Sequence, residues 1–328
     1  MCANAAIRNS WHAVAASADV DRSPIAVTLL GTKVVLYRAA NGEVVVAADR
    51  CPHREAPLSL GVVESGCLTC PYHGWTFGDG GHCVRIPSSP PGVPAPPRAH
   101  LATFHVSEKF GLVWICLGQP RGPLFDIAEE SDPTFRRINT PVEMWKTSAT
   151  RMTDNFCDIT HFPYVHLATF GGAQDPLVPK VELAPLDDHF YGYRYEILAG
   201  NSGDAALSSG QSTSVVERAM TTGFNLPFTV RSTIRYASGL AHIILLLSTP
   251  VDDETSLFTF VIWRNDDFSV PAAEVIRFDL AIGAEDKRML ELLDGVLPLD
   301  QTSLVNVQAD KCSVEWRRRL VEMMSSVP

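Results

Sequence analysis

The sequence predicts a two-domain α+β chain: a β-rich domain over residues 1–123, then a domain of antiparallel strands with helices over 124–328. Three observations carry this. The chain has 328 residues, more than one compact core usually holds. Val-rich and aromatic runs separated by turn residues dominate its first third. Beyond residue 180, strand-like stretches are followed by two helical patterns.

The elements follow in order. IAVTLLGTKVVLYRAANGEVVVAA at 25–48 places two Val-rich runs on either side of Asn41-Gly42, a hairpin signal. A loop over 49–60 is followed by short β-like pieces. A second loop, around 70–82, contains Gly74, Gly78, Gly80 and Gly81. PSSPPGVPAPP at 87–97 excludes regular helix and central strand, because proline lacks the backbone donor. FGLVWICLG at 110–118 is a strand, and Gly118 to Pro123 is the exit, with the boundary near 123–140. MTDNFCDITHFPYVH at 152–166 reads as a helix containing a break, which Pro163 kinks or ends near Phe162. HFYGYRYEIL, FTVRSTIRYA and SLFTFVIWR alternate as strands do. PAAEVIRFDLAIGAEDKRMLELLDG at 271–295 is helical, started by Pro271 and stopped near Gly295. KCSVEWRRRLVEMM closes the chain as a short amphipathic helix.

Composition excludes several function classes. Apolar residues make up 46% and charged residues 20%, as in ordinary soluble globular proteins. The net charge of −10 disfavours a nucleic-acid backbone as partner. The charge is uneven: residues 1–123 carry +2 and the remainder −12. The first residues lack the pattern of a secretory signal. LAHIILLLSTPV at 240–251 is too short to span a bilayer and reads as a buried strand. A cytoplasmic chain without membrane or nucleic-acid partner is therefore expected. Its eight cysteines are then expected to ligate metal or to be simply buried.

Two ligand sets stand out. The first is Cys51-Pro-His53 and, sixteen residues on, Cys70-Pro-Tyr-His73. Two thiolates and two imidazoles in Gly/Pro-rich loops suit a [2Fe–2S] cluster with Cys on one iron and His on the other. The neutral imidazoles raise its potential into roughly −150 to +300 mV. Zinc is the rival metal, but mixed C-x-H and C-x2-H pairs are uncommon there. Cys67-Leu-Thr-Cys70 would leave both histidines unemployed. The second set lies in Asp154-Asn155-Phe-Cys-Asp158-Ile-Thr-His161-Phe-Pro-Tyr-Val-His166. Asn155, Asp158 and His161 would share a helical face through i+3 steps. The break at Pro163 would let His166 reach the same metal as His161. Two His and one carboxylate form the facial set for non-haem Fe(II), with positions left open. Asp158 suits orientation of an imidazole better than ligation. The third ligand lies among Asp279, Glu285, Asp286, Glu291 and Asp294. Asn155 is either a polar neighbour of the metal or a plain helix residue. His242, in an apolar strand, is a candidate pocket residue.

CPHREAPLSLG with CPYHGWTF, and D-N-x2-D-x2-H-x4-H after them, resemble the Rieske non-haem iron oxygenases. The likeness extends to NSWHAVA, FGLVWICLG and DKCSVEWRRRL, nearly the whole chain. It is strongest to the α subunits of the vanillate and dicamba O-demethylase, caffeine demethylase and saxitoxin-pathway hydroxylase group. It implies a Rieske domain followed by a helix-grip-like catalytic domain. It implies His161, His166 and Asp286 as ligands of Fe(2+), with Asp279 the second choice for the acid. It also implies Asp158 as the catalytic carboxylate, bridging a cluster His of one subunit to an iron His of the next in a homotrimer. Family members often carry Gly where this chain has Glu55, which places a carboxylate two residues from a ligand. The reaction implied is O2-dependent hydroxylation or demethylation of a medium-sized ring compound. Electrons would come from a ferredoxin and/or a flavin-dependent NAD(P)H reductase. Ring cis-dihydroxylation and pure electron transfer are the alternatives. The loop FGGAQDPLVPK at 170–180 is either a gate or ordinary surface.

Overall fold

The stretch 25–48 folds as three strands, one more than its two Val-rich runs suggest: Ile25–Leu29, Thr32–Arg38 and Val44–Ala48, all antiparallel. Leu30 and Gly31 both take positive φ, 51° and 71°, and reverse the chain inside the first run. That is the mirror-image turn that matches strand twist. The second reversal falls where Asn41-Gly42 signals it, with Gly42 at φ 87°. These strands belong to a computed structural model that describes residues 1–21 and 23–326. It divides into two compact units, Met1–Pro123 and Leu124–Pro328.

In the first unit, two further sheets join this one. His12–Ala16, Leu112–Cys116 and His105–Lys109 form a sheet whose middle strand is wholly buried. Val62–Glu64, Cys67–Thr69, Thr76–Phe77 and Cys83–Arg85 form the other. The Pro-rich 87–97 segment contains neither helix nor strand. Val35, Tyr37, Leu58, Leu68 and Phe77 pack into one core, and Cys51 and Cys70 are part of it. Both cysteines are therefore held on a closely packed base.

The second unit is built on an eight-stranded antiparallel sheet. Its long central strands are Tyr191–Gly200, Val215–Asn225, Thr229–Arg235, Ala241–Pro250 and Ser256–Arg264. The run at 240–251 is thus a buried strand. Helix Ala149–Cys157 packs on three of these strands and against the C-terminal helix Lys311–Ser325. The long helix is Ala272–Leu290, with Pro271 at its N-cap; it ends before Gly295, which takes φ 62°. Among the described residues, no helix is long and apolar enough to cross a membrane.

The break expected at Pro163 in the helix over 152–166 requires correction, because it falls earlier. Helix Ala149–Cys157 starts at Ser148, whose Oγ accepts from Arg151 N–H, and it ends before Asp158. Asp158 has extended backbone angles, φ −94° and ψ 150°. Its carboxylate accepts from Thr160 and from His161 N–H, the local bonding by which aspartate competes with helix. Pro163 sits in the first turn of a new short helix, Phe162–Val165, where its missing donor costs nothing. Asn155, Asp158 and His161 therefore converge through this break, without sharing one helical face.

Candidate metal centres

The loops at 51–56 and 70–75 repeat one hydrogen-bond pattern. Each Cys N–H donates to the carbonyl five residues on, Ala56 at 2.9 Å and Trp75 at 2.8 Å. Each Cys carbonyl accepts from the N–H four residues on, Glu55 at 2.9 Å and Gly74 at 3.1 Å. At that fourth position φ is positive in both, 63° at Glu55 and 68° at Gly74. Glu55 thus occupies a left-handed position that favours glycine. Its exposed carboxylate pairs with Arg50, away from the buried thiols.

The loops bring Cys51, His53, Cys70 and His73 together. The two thiols are buried hydrogen-bond neighbours. The two imidazole rings meet edge to face, centroids 4.5 Å apart. His53 stacks on Trp75 at 4.5 Å and 5°, and Tyr72 packs on His73 at 3.9 Å. His53 Nδ1 is buried and has no hydrogen-bond partner. Burial pushes the Cys51 thiol up to about 11, and burial followed by the His73 charge lowers His53. Thiols on one side, rings on the other and an unpartnered ring nitrogen fit the donor set of a cluster with two Cys and two His ligands.

The second unit gathers His161, His166 and Asp286, with one donor atom from each lying within 4.8 Å of the others. Both His Nε2 atoms lie 3.5 Å from Asp286 Oδ1. Each Nδ1 faces away, onto its own carboxylate. His161 Nδ1 donates to Asp158 Oδ2 at 2.9 Å, and His166 Nδ1 to Glu285 Oε2 at 2.9 Å. These contacts fix the tautomer that leaves both Nε2 lone pairs free for a metal. Thr169 Oγ1 donates to Glu285, and Asn155 Nδ2 donates to Asp286 Oδ1 at 3.0 Å. Asn155 is thus a polar neighbour of this group. Burial pushes the Asp158 carboxyl up, but bonds from His161 and Thr160 outweigh it and leave it lowered. Burial lowers His166 despite Asp286 and Glu285 beside it, favouring the neutral ring that a metal needs.

The remaining candidate acids, on the long helix and just after it, have other partners. Asp279 Oδ1 lies 3.2 Å from His242 Nε2, and Arg264 donates to His242 Nδ1 at 2.8 Å. Glu291 accepts from Lys146 N–H, and the Asp294 carbonyl accepts from Arg151. Glu285 as the partner of His166 has no periodic signal in the sequence, because it is simply the neighbour of Asp286 on the helix. Beside the triad lies a cavity of about 100 Å³ whose walls include Phe162, Ile234, Ile244 and Leu246, with Arg218 and His242 among its polar residues. The start of the 170–180 loop is tied to this site. Phe170 stacks on His166 at 5.1 Å, and Gly171 N–H donates to the His166 carbonyl. A Cβ on Gly171 would meet the Phe162 carbonyl at 2.0 Å, so only glycine fits there.

Known proteins share both halves of this arrangement. Residues 10–105 match the Rieske [2Fe-2S] domain, and residues 145–326 match the vanillate O-demethylase oxygenase C-terminal domain. Methylxanthine N1-demethylase NdmA of Pseudomonas putida is 30% identical, over 97% of this chain and 89% of its own. The oxygenase component of dicamba O-demethylase from Stenotrophomonas maltophilia is 29% identical, over 96% and 90%. The solved structure of NdmA from Pseudomonas putida CBB5 with caffeine superposes with a TM-score of 0.82 at 27% identity, covering 99% of this chain and 93% of that one.

Proposed function

Since the chain belongs to the Rieske non-haem iron oxygenases, with a catalytic domain of the vanillate O-demethylase type, we propose that it hydroxylates or oxidatively demethylates a medium-sized ring compound in the cavity beside His161, His166 and Asp286. The family uses a [2Fe–2S] cluster, which passes electrons singly, and a mononuclear Fe(II), which activates O2. Its members take a small organic substrate and O2 and draw electrons from a reductase or ferredoxin. NdmA and the dicamba enzyme are, by name, demethylases. That supports demethylation over ring dihydroxylation here.

The residues divide the work. Cys51, Cys70, His53 and His73 would hold the cluster, two thiolates and two imidazoles as its ligands. His161, His166 and Asp286 would hold the mononuclear iron, which would supply O2 activation. Asp158 and Glu285 keep both imidazoles turned and neutral. Asn155 holds Asp286 by one oxygen. The apolar walls exclude water and seat the ring. Asp158, part-buried and bonded to His161, connects this site to a cluster His of a neighbouring subunit in a homotrimer. The less negative N-terminal half receives the electron donor. A reducing, cytoplasmic setting suits eight cysteines that form no disulfide.

The observation that carries this reading is the convergence of two Nε2 atoms on Asp286 Oδ1. Substrate-dependent O2 uptake by the holoenzyme with a reductase, screened over methoxy- and N-methyl-substituted ring compounds, tests it. Uptake coupled to formaldehyde is expected. Uptake without formaldehyde and with diol product would favour dihydroxylation, and no uptake with any ring compound would refute the oxygenase reading.

A further inference from the structure

Arg218 lies on strand Val215–Asn225, on the inward face with Val216, Met220 and Thr222. It is 2% exposed. Its Nε and Nη2 are buried and have no hydrogen-bond partner, and no carboxylate among the described residues pairs with it. The other buried arginines each have a carboxylate beside them: Arg264 has Asp266 at 2.7 Å, and Arg317, although its Nε and Nη1 also lack hydrogen bonds, has Asp154 at 3.5 Å. Arg218 has only aromatic faces, with its guanidinium 5.1 Å from the Phe170 ring and 5.8 Å from the Tyr236 ring. It lines the cavity beside the triad. One ring, Phe170, lies between it and His166.

An ionised group left unpaired in an apolar interior is unfavourable unless something completes it. The surroundings do not complete Arg218, and its unpartnered donors belong to a residue of the cavity wall. The planar guanidinium fork matches a carboxylate with two parallel hydrogen bonds. We infer that Arg218 binds a carboxylate of the substrate and that the ring compound is an organic acid. The inference rests on the cavity being the substrate site. Carboxylate on Arg218 and ring against Phe170 would hold the far end of the ring toward the triad, so Arg218 selects and orients the substrate without taking part in bond breaking.

Calorimetric titration of the holoenzyme with matched pairs tests it: benzoate against benzamide, and 2-naphthoate against 2-naphthamide. The acid of each pair should bind about tenfold or more tightly than its amide, the scale of one charge-assisted contact. Arg218→Met should erase that ratio while leaving amide affinity in place, with a thermal midpoint no lower than that of the parent. If the Met variant does not fold, Arg218→Gln reads the same ratio. Equal affinity for acid and amide, absence of binding by any acid at millimolar concentration, or a ratio that survives loss of Arg218 would overturn the assignment. No turnover is needed, so a protein that prefers acids but consumes no O2 would overturn the oxygenase reading alone.

Discussion

Glu285 Oε2 accepts a hydrogen bond from His166 Nδ1 at 2.9 Å, on the side of the ring facing away from Asp286. Neighbouring acids on one helix thus do different work, one at each nitrogen of the same imidazole. Glu285→Gln keeps the shape and removes the charge. The expected result is roughly 10- to 100-fold weaker iron retention at the mononuclear site. Chelator competition followed by iron analysis measures it, with the visible cluster spectrum unchanged. Unaltered retention would mean that Glu285 only packs.

The choice between Asp286 and Asp279 is decided by substitution. Asp286→Asn should lose the mononuclear iron and turnover together. Asp279→Asn should keep the iron, because that carboxylate faces His242. Metal analysis of both proteins gives the answer, and the opposite pattern would make Asp279 the ligand.

Asp158→Asn should keep both metals, since His161 Nε2 is untouched, and should lower turnover about 10- to 100-fold. Steady-state O2 uptake at saturating reductase reads the effect. Full activity would remove Asp158 from the mechanism.

The first unit carries a separate pH dependence. His12 is buried and donates from Nε2 to the Ile7 carbonyl. Burial lowers its pKa from 6.5 to about 4, with the Ile7 bond opposing. The fold therefore favours the neutral ring, and between these values the unfolded chain binds more protons. Stability is retained above pH 6.5 and falls as pH drops toward 4, by at most about 3 kcal/mol from this group. Urea unfolding of parent and His12→Gln at pH 7 and pH 4.5 should show a shallower pH slope in the variant. Parallel slopes would exclude His12 as the source.

The sequence made some of this legible and hid the rest for physical reasons. The grouping of Cys51, His53, Cys70 and His73 could be read because each pair lies within one short loop. His161 and His166 were legible for the same reason. The helix end at Cys157 was not, because Pro163 drew attention while Asp158, a residue that bonds its own following backbone, had already ended the helix. The turn at Leu30-Gly31 was hidden because leucine seldom marks a left-handed position. Glu285 and Arg218 depend on contacts across the tertiary fold. Arg218 did leave a trace: in VVERAMT it stands where strand alternation calls for an apolar residue.

Iron and acid-labile sulfide per chain, measured on the parent and on His161→Ala, test the central claim most directly. The parent should hold about three irons and two sulfides. His161→Ala should hold about two irons and two sulfides, with the cluster spectrum intact and turnover gone. Zinc without sulfide in the parent, or a third iron and full turnover retained after loss of His161, would contradict the account.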